Sequence, residues 1–338
     1  MNMKRVLIYF TLLIFLVSSK TDKPAYRIFN AKGKAVKYAE LLEDAKKNDV
    51  IFFGEMHDSP ICHWLELELA KDLFQDKKRN LVLGAEMFET DNQLLLKEYT
   101  TKMIRKKDFE AEAKLWSNYK TDYAPVVDFA HDNDIKFVAT NIPRRFAAIV
   151  NLKGFEGLDS IMANERALIA PLPIKYNPEL SCYKKMMEMM GPEAAASHMG
   201  DNLPKAQAIK DATMAWFIFK NLQFGQTFLH YNGSYHSDNH EGIVWYLVEF
   251  NKRTATPLKI LTISSVEQSS LEEFSKDNIN KADFIICIPD DMTKTQPPSA
   301  SEMPSLKTVP PVPVGAPPAM KADTTKPDED DQGDGDDD

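Results

Sequence analysis

The sequence predicts an α/β protein: a mostly parallel sheet with helices on both faces and a small helical insertion. Three observations carry that expectation. Six short apolar, β-branched or aromatic runs recur along the chain. The segments between them repeat apolar residues three and four positions apart, the helical period. Strands that alternate with helices and read as near-continuous apolar runs belong to parallel sheets covered on both faces.

The first run is Val50-Ile51-Phe52-Phe53. A helix follows it: Ser59 suits the N-cap, Pro60 loses no useful N–H at the first helical position, and Trp64, Leu67, Ala70 and Leu73-Phe74 supply the apolar stripe. Leu81-Val82-Leu83 is the second run and Ile135-Lys136-Phe137-Val138-Ala139 the third. Residues 151–205 break the rhythm, with no clear strand, several prolines and the cluster Met186-Met187-Glu188-Met189-Met190, and are expected to form the helical insertion. A helix from Ala206 to Leu222 returns the chain to Thr227-Phe228-Leu229-His230-Tyr231. Leu258 to Ile263 and Phe284 to Ile288 complete the set. No internal repeat of fixed period is visible.

Composition bounds the rest. The 338 residues are 43% hydrophobic and 27% charged, enough apolar mass for a sizeable core, and three cysteines cannot form a disulfide scaffold. The net charge of −9 is unevenly spread: residues 1–20 contribute +3, residues 321–338 contribute −7, and the 300 between them −5. A mildly acidic body attracts no polyanion, so nucleic-acid binding by bulk charge is excluded. Residues 1–20 read as a secretory signal, with Lys4-Arg5 ahead of the apolar run Val6 to Val17, twelve residues and too short to span a bilayer as a helix. An uncleaved anchor is the plainer alternative. The first cysteine is Cys62, so no lipobox follows that run, and a soluble exported protein, periplasmic or extracellular, is expected. Nine of the twenty prolines fall after position 290 and the chain closes on DEDDQGDGDDD, so residues 291–338 read as a disordered Pro-rich and acidic tail, leaving a folded part at 26–290.

Chemistry gathers where the strands end. The first run leads into Gly54-Glu55-Met56-His57, the second into Gly84-Ala85-Glu86, the third into Thr140-Asn141 and the fourth into Asn232-Gly233-Ser234-Tyr235-His236. Ligands of open parallel sheets bind outside the carboxyl ends of the strands, and these endings all deliver polar side chains there. Two share the spacing Gly-x-x-His, in which glycine permits a sharp exit and the histidine can turn back over the edge. Two imidazoles with Glu55 or Glu86 suit zinc or manganese, with an open position for water if the ion is catalytic. The plainer alternative is turn polars and satisfied loop histidines. His63 follows His57 across a proline and shares no obvious helical face with it, His131 sits at a helix end, His230 within a strand, and His240 at the start of a helix near the surface. His198, in the insertion, could reach over a ligand. Trp116, Tyr119 and Tyr123, with Tyr176, Tyr183 and the methionines, suit a flat apolar ligand such as haem, for which tyrosinate is an axial ligand; core packing is the competing explanation. No GxGxxG, GxxxxGK or GxSxG motif is present.

Taken together, Gly54-Glu55-Met56-His57-Asp58, Gly84-Ala85-Glu86-Met87, Trp116…Tyr123-Ala124-Pro125, Thr140-Asn141-Ile142-Pro143-Arg144-Arg145, Lys205-Ala206-Gln207…Lys210-Asp211-Ala212-Thr213 and Tyr231-Asn232-Gly233-Ser234-Tyr235-His236 resemble the ChaN-like haem-binding uptake family of the Tiki/erythromycin-esterase-like grouping, over about residues 40–265. The resemblance implies an exported α/β protein with a small helical subdomain that binds haem for iron acquisition, in a dimer with a tyrosine of one subunit and a histidine contact from the other. It implies Tyr123 as haem tyrosine, with His198, Asn141, Arg144 and Asn232 as further cofactor-binding residues, and an envelope haem-uptake system as partner. The wider grouping includes metal-dependent hydrolases; by position His57 and His236 match the paired histidines and Glu55 and Glu86 the acidic members. Family members are often lipoproteins, and the missing lipobox cysteine departs from that pattern.

Overall fold

A computed structural model describes residues 23–295 except 78–79, 196–201 and 253. The chain divides into two units, Met1–Gln296 and Pro297–Asp338. The second unit, the expected signal at 1–20, the tail beyond 295 and His198 lie outside the described residues.

An eight-stranded sheet organises the first unit, in the order β2-β1-β8-β7-β3-β6-β4-β5. The strands are β1 (Arg27–Asn30), β2 (Ala35–Val36), β3 (Val50–Glu55), β4 (Leu81–Glu89), β5 (Lys136–Asn141), β6 (Thr227–Gly233), β7 (Ile260–Gln268) and β8 (Phe284–Pro289). From β8 to β5 every neighbouring pair is parallel; only β1 runs antiparallel, against both β2 and β8. Every residue of β3, β4 and β6 is buried, as expected for central strands covered on both faces. Alternation within β3 sorts its side chains between two cores. Ile51 and Phe53 pack with helix α2 (Pro60–Lys77) and α5 (Ala124–Asp132), whereas Val50 and Phe52 pack with α8 (Asn202–Asn221) and α9 (Ile243–Asn251).

The remaining helices are α1 (Tyr38–Ala45), α3 (Gln93–Thr100), α4 (Lys106–Glu112), α6 (Arg144–Lys153) and α7 (Ser181–Ala195). Between α6 and α8 the described residues hold no strand, only α7 and the short 3-10 turns Phe155–Ser160 and Glu165–Leu168. Pro60 opens α2, and the Cys62 N–H approaches Ser59 Oγ at 3.5 Å, the capping expected at that boundary. The β1–β2 hairpin was not expected from sequence. Its turn is held by Asn30, whose side chain accepts from the Lys32 and Lys34 N–H groups, and by Gly33 at φ +77°. No described helix is long and apolar enough to cross a membrane.

Candidate functional site

The strand order places the chemistry. β6 lies between β3 and β4, so the two Gly-x-x-His endings leave the sheet side by side and Glu86 flanks β6 from the other edge. Gly54 pairs with Asn232 and Glu55 with Gly233 in that register. The Gly233 N–H donates to Glu86 Oε2 at 2.9 Å. A β-carbon built on Gly233 would lie 2.8 Å from His57 Nε2 and 3.7 Å from Glu86 Oε2, so glycine here keeps the room in which the imidazole meets the carboxylate.

Each histidine is locked by a carboxylate through Nδ1. His57 Nδ1 lies 2.6 Å from Glu55 Oε1, which also accepts the Tyr123 hydroxyl at 2.5 Å. His236 Nδ1 bonds Asp211 Oδ1, and its Nε2 lies 3.2 Å from Glu86 Oε1. Asp211 in turn accepts the Tyr183 hydroxyl at 2.7 Å, and the Gln207 amide lies 3.0 Å from His236 Nε2. These outer partners orient the imidazoles and raise their basicity. The two rings differ in access: the His57 side chain is 41% exposed, that of His236 only 6%. The Trp116 ring meets His57 edge-on at 4.8 Å.

Charge is concentrated here. Burial alone would depress the His236 pKa, but Glu86 and Asp211 outweigh it and push the ring up to about 10. Burial likewise favours the neutral form of Glu86, yet His236 and His57 hold its carboxyl well below the usual range. For Glu55, burial is outweighed by His63 and His57, and its pKa falls to about 2. Burial and the Glu55 carboxylate push Glu66 well up. His57 is disfavoured as a cation by burial, but its bond to Glu55 and the charge of Glu86 leave its pKa raised.

The structure therefore brings Glu55, His57, Glu86 and His236 to one place. The other expected residues scatter. Tyr123 closes the short π-helix Tyr119–Tyr123, and its ring is buried between Trp116 and His63 with the hydroxyl given to Glu55. That phenol offers no open face for an iron atom in this arrangement. Asn232 is fully buried and donates to Ser237 Oγ and the Gly233 carbonyl, a framework contact. Asn141 pairs in register with Glu89 at the end of β4, past a register shift, and its buried Oδ1 accepts no hydrogen bond. Arg144 opens α6 with its side chain 81% exposed. His230 is buried against Thr140 and Asn232, and His240 lies exposed in a 3-10 turn rather than at a helix start.

Sequence reasoning missed His63, Glu66, Gln207 and Asp211. His63 approaches the His57 carbonyl at 3.1 Å through Nε2 and Glu66 at 3.0 Å through Nδ1, so the proline between the two histidines folds them together rather than apart. The His-x-x-Glu spacing on a helix was the available signal. In the segment around 151–205, Tyr176, Tyr183, Met187, Lys184 and Lys205 help to wall a crevice of about 420 Å³. The three cysteines are buried and free.

The profile of the family described as haem-binding uptake, Tiki superfamily, ChaN, matches residues 41–247. The chain belongs to this family. Among solved structures it is similar to ChaN of Campylobacter jejuni, a protein reported with cofacially bound haem. The TM-score is 0.59 at 19% identity, covering 77% of this chain and 96% of that one. At that identity the likeness establishes the α/β fold. A curated relative, the chloroplastic protein RETICULATA-RELATED 5 of Arabidopsis thaliana, is 27% identical over 128 residues, or 36% of this chain and 17% of that protein. The chain thus spans a small part of that relative's length.

Proposed function

We propose that this ChaN family member binds haem over the carboxyl edge of its sheet, with His57 facing the iron. The observation that carries this reading is the asymmetry of the paired histidines. His57 Nδ1 is held by Glu55, and its side chain is the open one, with Trp116 beside it. In the neutral ring such an arrangement makes Nε2, which lies beside Gly233, the lone-pair nitrogen, and an imidazole lone pair suits an iron ligand. The donor set fits the group: an oriented imidazole with an aromatic neighbour. Haem supplies the iron; this chain's residues bind and orient it. Export, a homodimer and service to an envelope haem-uptake system belong to the same proposal.

Haemin titration of the full chain followed by absorbance tests the reading. Wild type should give a saturable Soret shift at about one haem per chain, and His57→Ala should shift the band and weaken binding by tenfold or more, on the order of 1.4 kcal/mol. A Soret band identical in wild type and His57→Ala overturns it.

A second reading rests on a separate observation, the placement of Glu86 between the two imidazoles. His57, His236 and Glu86 are a donor set for zinc or manganese, with Glu55 and Asp211 as outer partners. Such an ion would lower the pKa of bound water for hydrolysis. Loading requires the proton between His236 and Glu86 to leave, so metal uptake would release protons.

A further inference from the structure

Behind the sheet edge, where α2 starts against β3, a second group of ligand-type side chains is sealed from solvent. Glu55, His63 and Glu66 are 3%, 5% and 1% exposed, and each brings a ligand atom to within 4.8 Å of the others'. His63 Nε2 lies 3.1 Å from the His57 carbonyl oxygen, which can only accept, so Nε2 carries a hydrogen. In the neutral ring Nδ1 is then a lone pair. It faces Glu66 Oε2 at 3.0 Å and Glu55 Oε2 at 3.5 Å. Glu55 Oε2 and Glu66 Oε1 are both buried and accept no hydrogen bond. With both carboxylates ionised, acceptors meet acceptors where unpaired oxygens are costly, so either a proton kept on Glu66 or a cation must fill the gap.

We propose that His63 Nδ1, Glu55 Oε2 and the Glu66 carboxylate form a closed site for a divalent cation of the zinc class. One imidazole with carboxylate oxygens matches the donor preference of zinc and manganese, whereas calcium needs six or more oxygens. The bond from His63 to a backbone carbonyl is the outer contact that fixes a metal-bound imidazole. A dipositive ion neutralises the two carboxylates, and a site built from side chains this buried is structural rather than catalytic. Glu55 would then serve two masters: Oε2 on the ion, Oε1 holding His57 and Tyr123. The site stands whether or not haem binds at His57.

Elemental analysis of the full chain, purified without chelator, is the first test, with His236→Gln and Glu66→Gln beside wild type. Wild type and His236→Gln should each retain about one zinc per chain through dialysis, and Glu66→Gln should retain at most about a tenth of that. Refolding with zinc rather than chelator should raise the melting temperature of wild type and His236→Gln and leave Glu66→Gln unmoved. X-ray absorption of the zinc-loaded wild type should show one imidazole among oxygen donors, a readout that needs no variant to fold. Zinc lost in His236→Gln but kept in Glu66→Gln, two imidazoles in the absorption spectrum, or wild type that takes up no zinc on refolding would each overturn the assignment; in the last case a shared proton fills the space.

Discussion

Replacing Gly233 by alanine tests the site at its narrowest point. The backbone there, φ −52° and ψ 134°, accepts any residue, so the substitution acts through space alone. The added methyl would lie 2.8 Å from His57 Nε2 and 3.0 Å from its Cε1, closer than carbon contacts allow. Because the His57 side chain is 41% exposed, the ring can swing outward, at about 0.5–1.5 kcal/mol for an imperfect rotamer. Loss of glycine freedom in the unfolded chain returns about 0.4–1 kcal/mol. The net change should stay within about 1 kcal/mol, a shift of at most about 2–4 °C in a domain this large. Gly54 makes the opposite case: its β-carbon would meet the Ile263 carbonyl oxygen at 2.8 Å and Ser234 Cα at 2.9 Å, both backbone atoms. Strands must part to admit it, costing about 1–3 kcal/mol or more. Thermal melts paired with haemin titration separate the two. Gly233→Ala should melt near wild type and lose the Soret band that depends on His57, whereas Gly54→Ala should melt clearly lower. If Gly233→Ala binds haemin with an unchanged band, or melts as low as Gly54→Ala, the placement of His57 against Gly233 is wrong.

Three further outcomes follow from the same geometry. His236, raised from 6.5 to about 10, contributes stability that is complete below about pH 6.5 and is lost as pH rises to about 10. Denaturant unfolding should therefore fall by up to about 1.4 kcal/mol per pH unit across that window in wild type, and His236→Gln should lose the slope. Tyr123→Phe removes a donor from the buried Glu55 carboxylate and should cost about 1–3 kcal/mol while leaving the Soret maximum in place; a shifted maximum would restore Tyr123 as the iron ligand. Burial pushes the Cys62 thiol up to about 11 and Cys287 up to about 12, and raises Cys182 as well. A thiol reagent at pH 8 should label no cysteine in the folded chain and three after denaturation.

How much of this could be read in advance depended on whether a residue's direction is set locally. β3, β4 and β6 were legible because strands buried on both faces must be apolar throughout, whereas β1 is four residues, RIFN, with no run to notice. The Gly-x-x-His pair was legible because a strand end fixes where the next three residues go. Asp211 and Glu66 were not, since each lies on a helix whose rotation is decided by packing against the sheet: Asp211 is 1% exposed within a mostly apolar stretch of α8. Tyr123 shows the same limit. Its position before Pro125 said nothing of its direction, and the π-helical turn carries it inward, toward Glu55.

Access decides between the two uses of the sheet edge. A small ion would need only the space that Gly233 leaves, but the two imidazoles and Glu86 would have to close on it: among the described residues, ligand atoms within 4.8 Å of one another are found for Glu55, His63 and Glu66. A porphyrin is too wide for that space and would reach His57 while leaving His236, 6% exposed and clamped between Glu86 and Asp211, untouched. Glu86→Gln therefore discriminates. If haem is the ligand, the variant should keep its haemin affinity within about threefold, since only a neighbouring charge is altered, on the order of 0.7 kcal/mol. If a divalent ion is held there, loss of one carboxylate ligand should weaken it at least about tenfold while the haemin titration stays flat in both proteins. Haemin affinity that collapses in Glu86→Gln would mean that the buried half of the edge takes part in haem binding after all, and that His57 does not act alone.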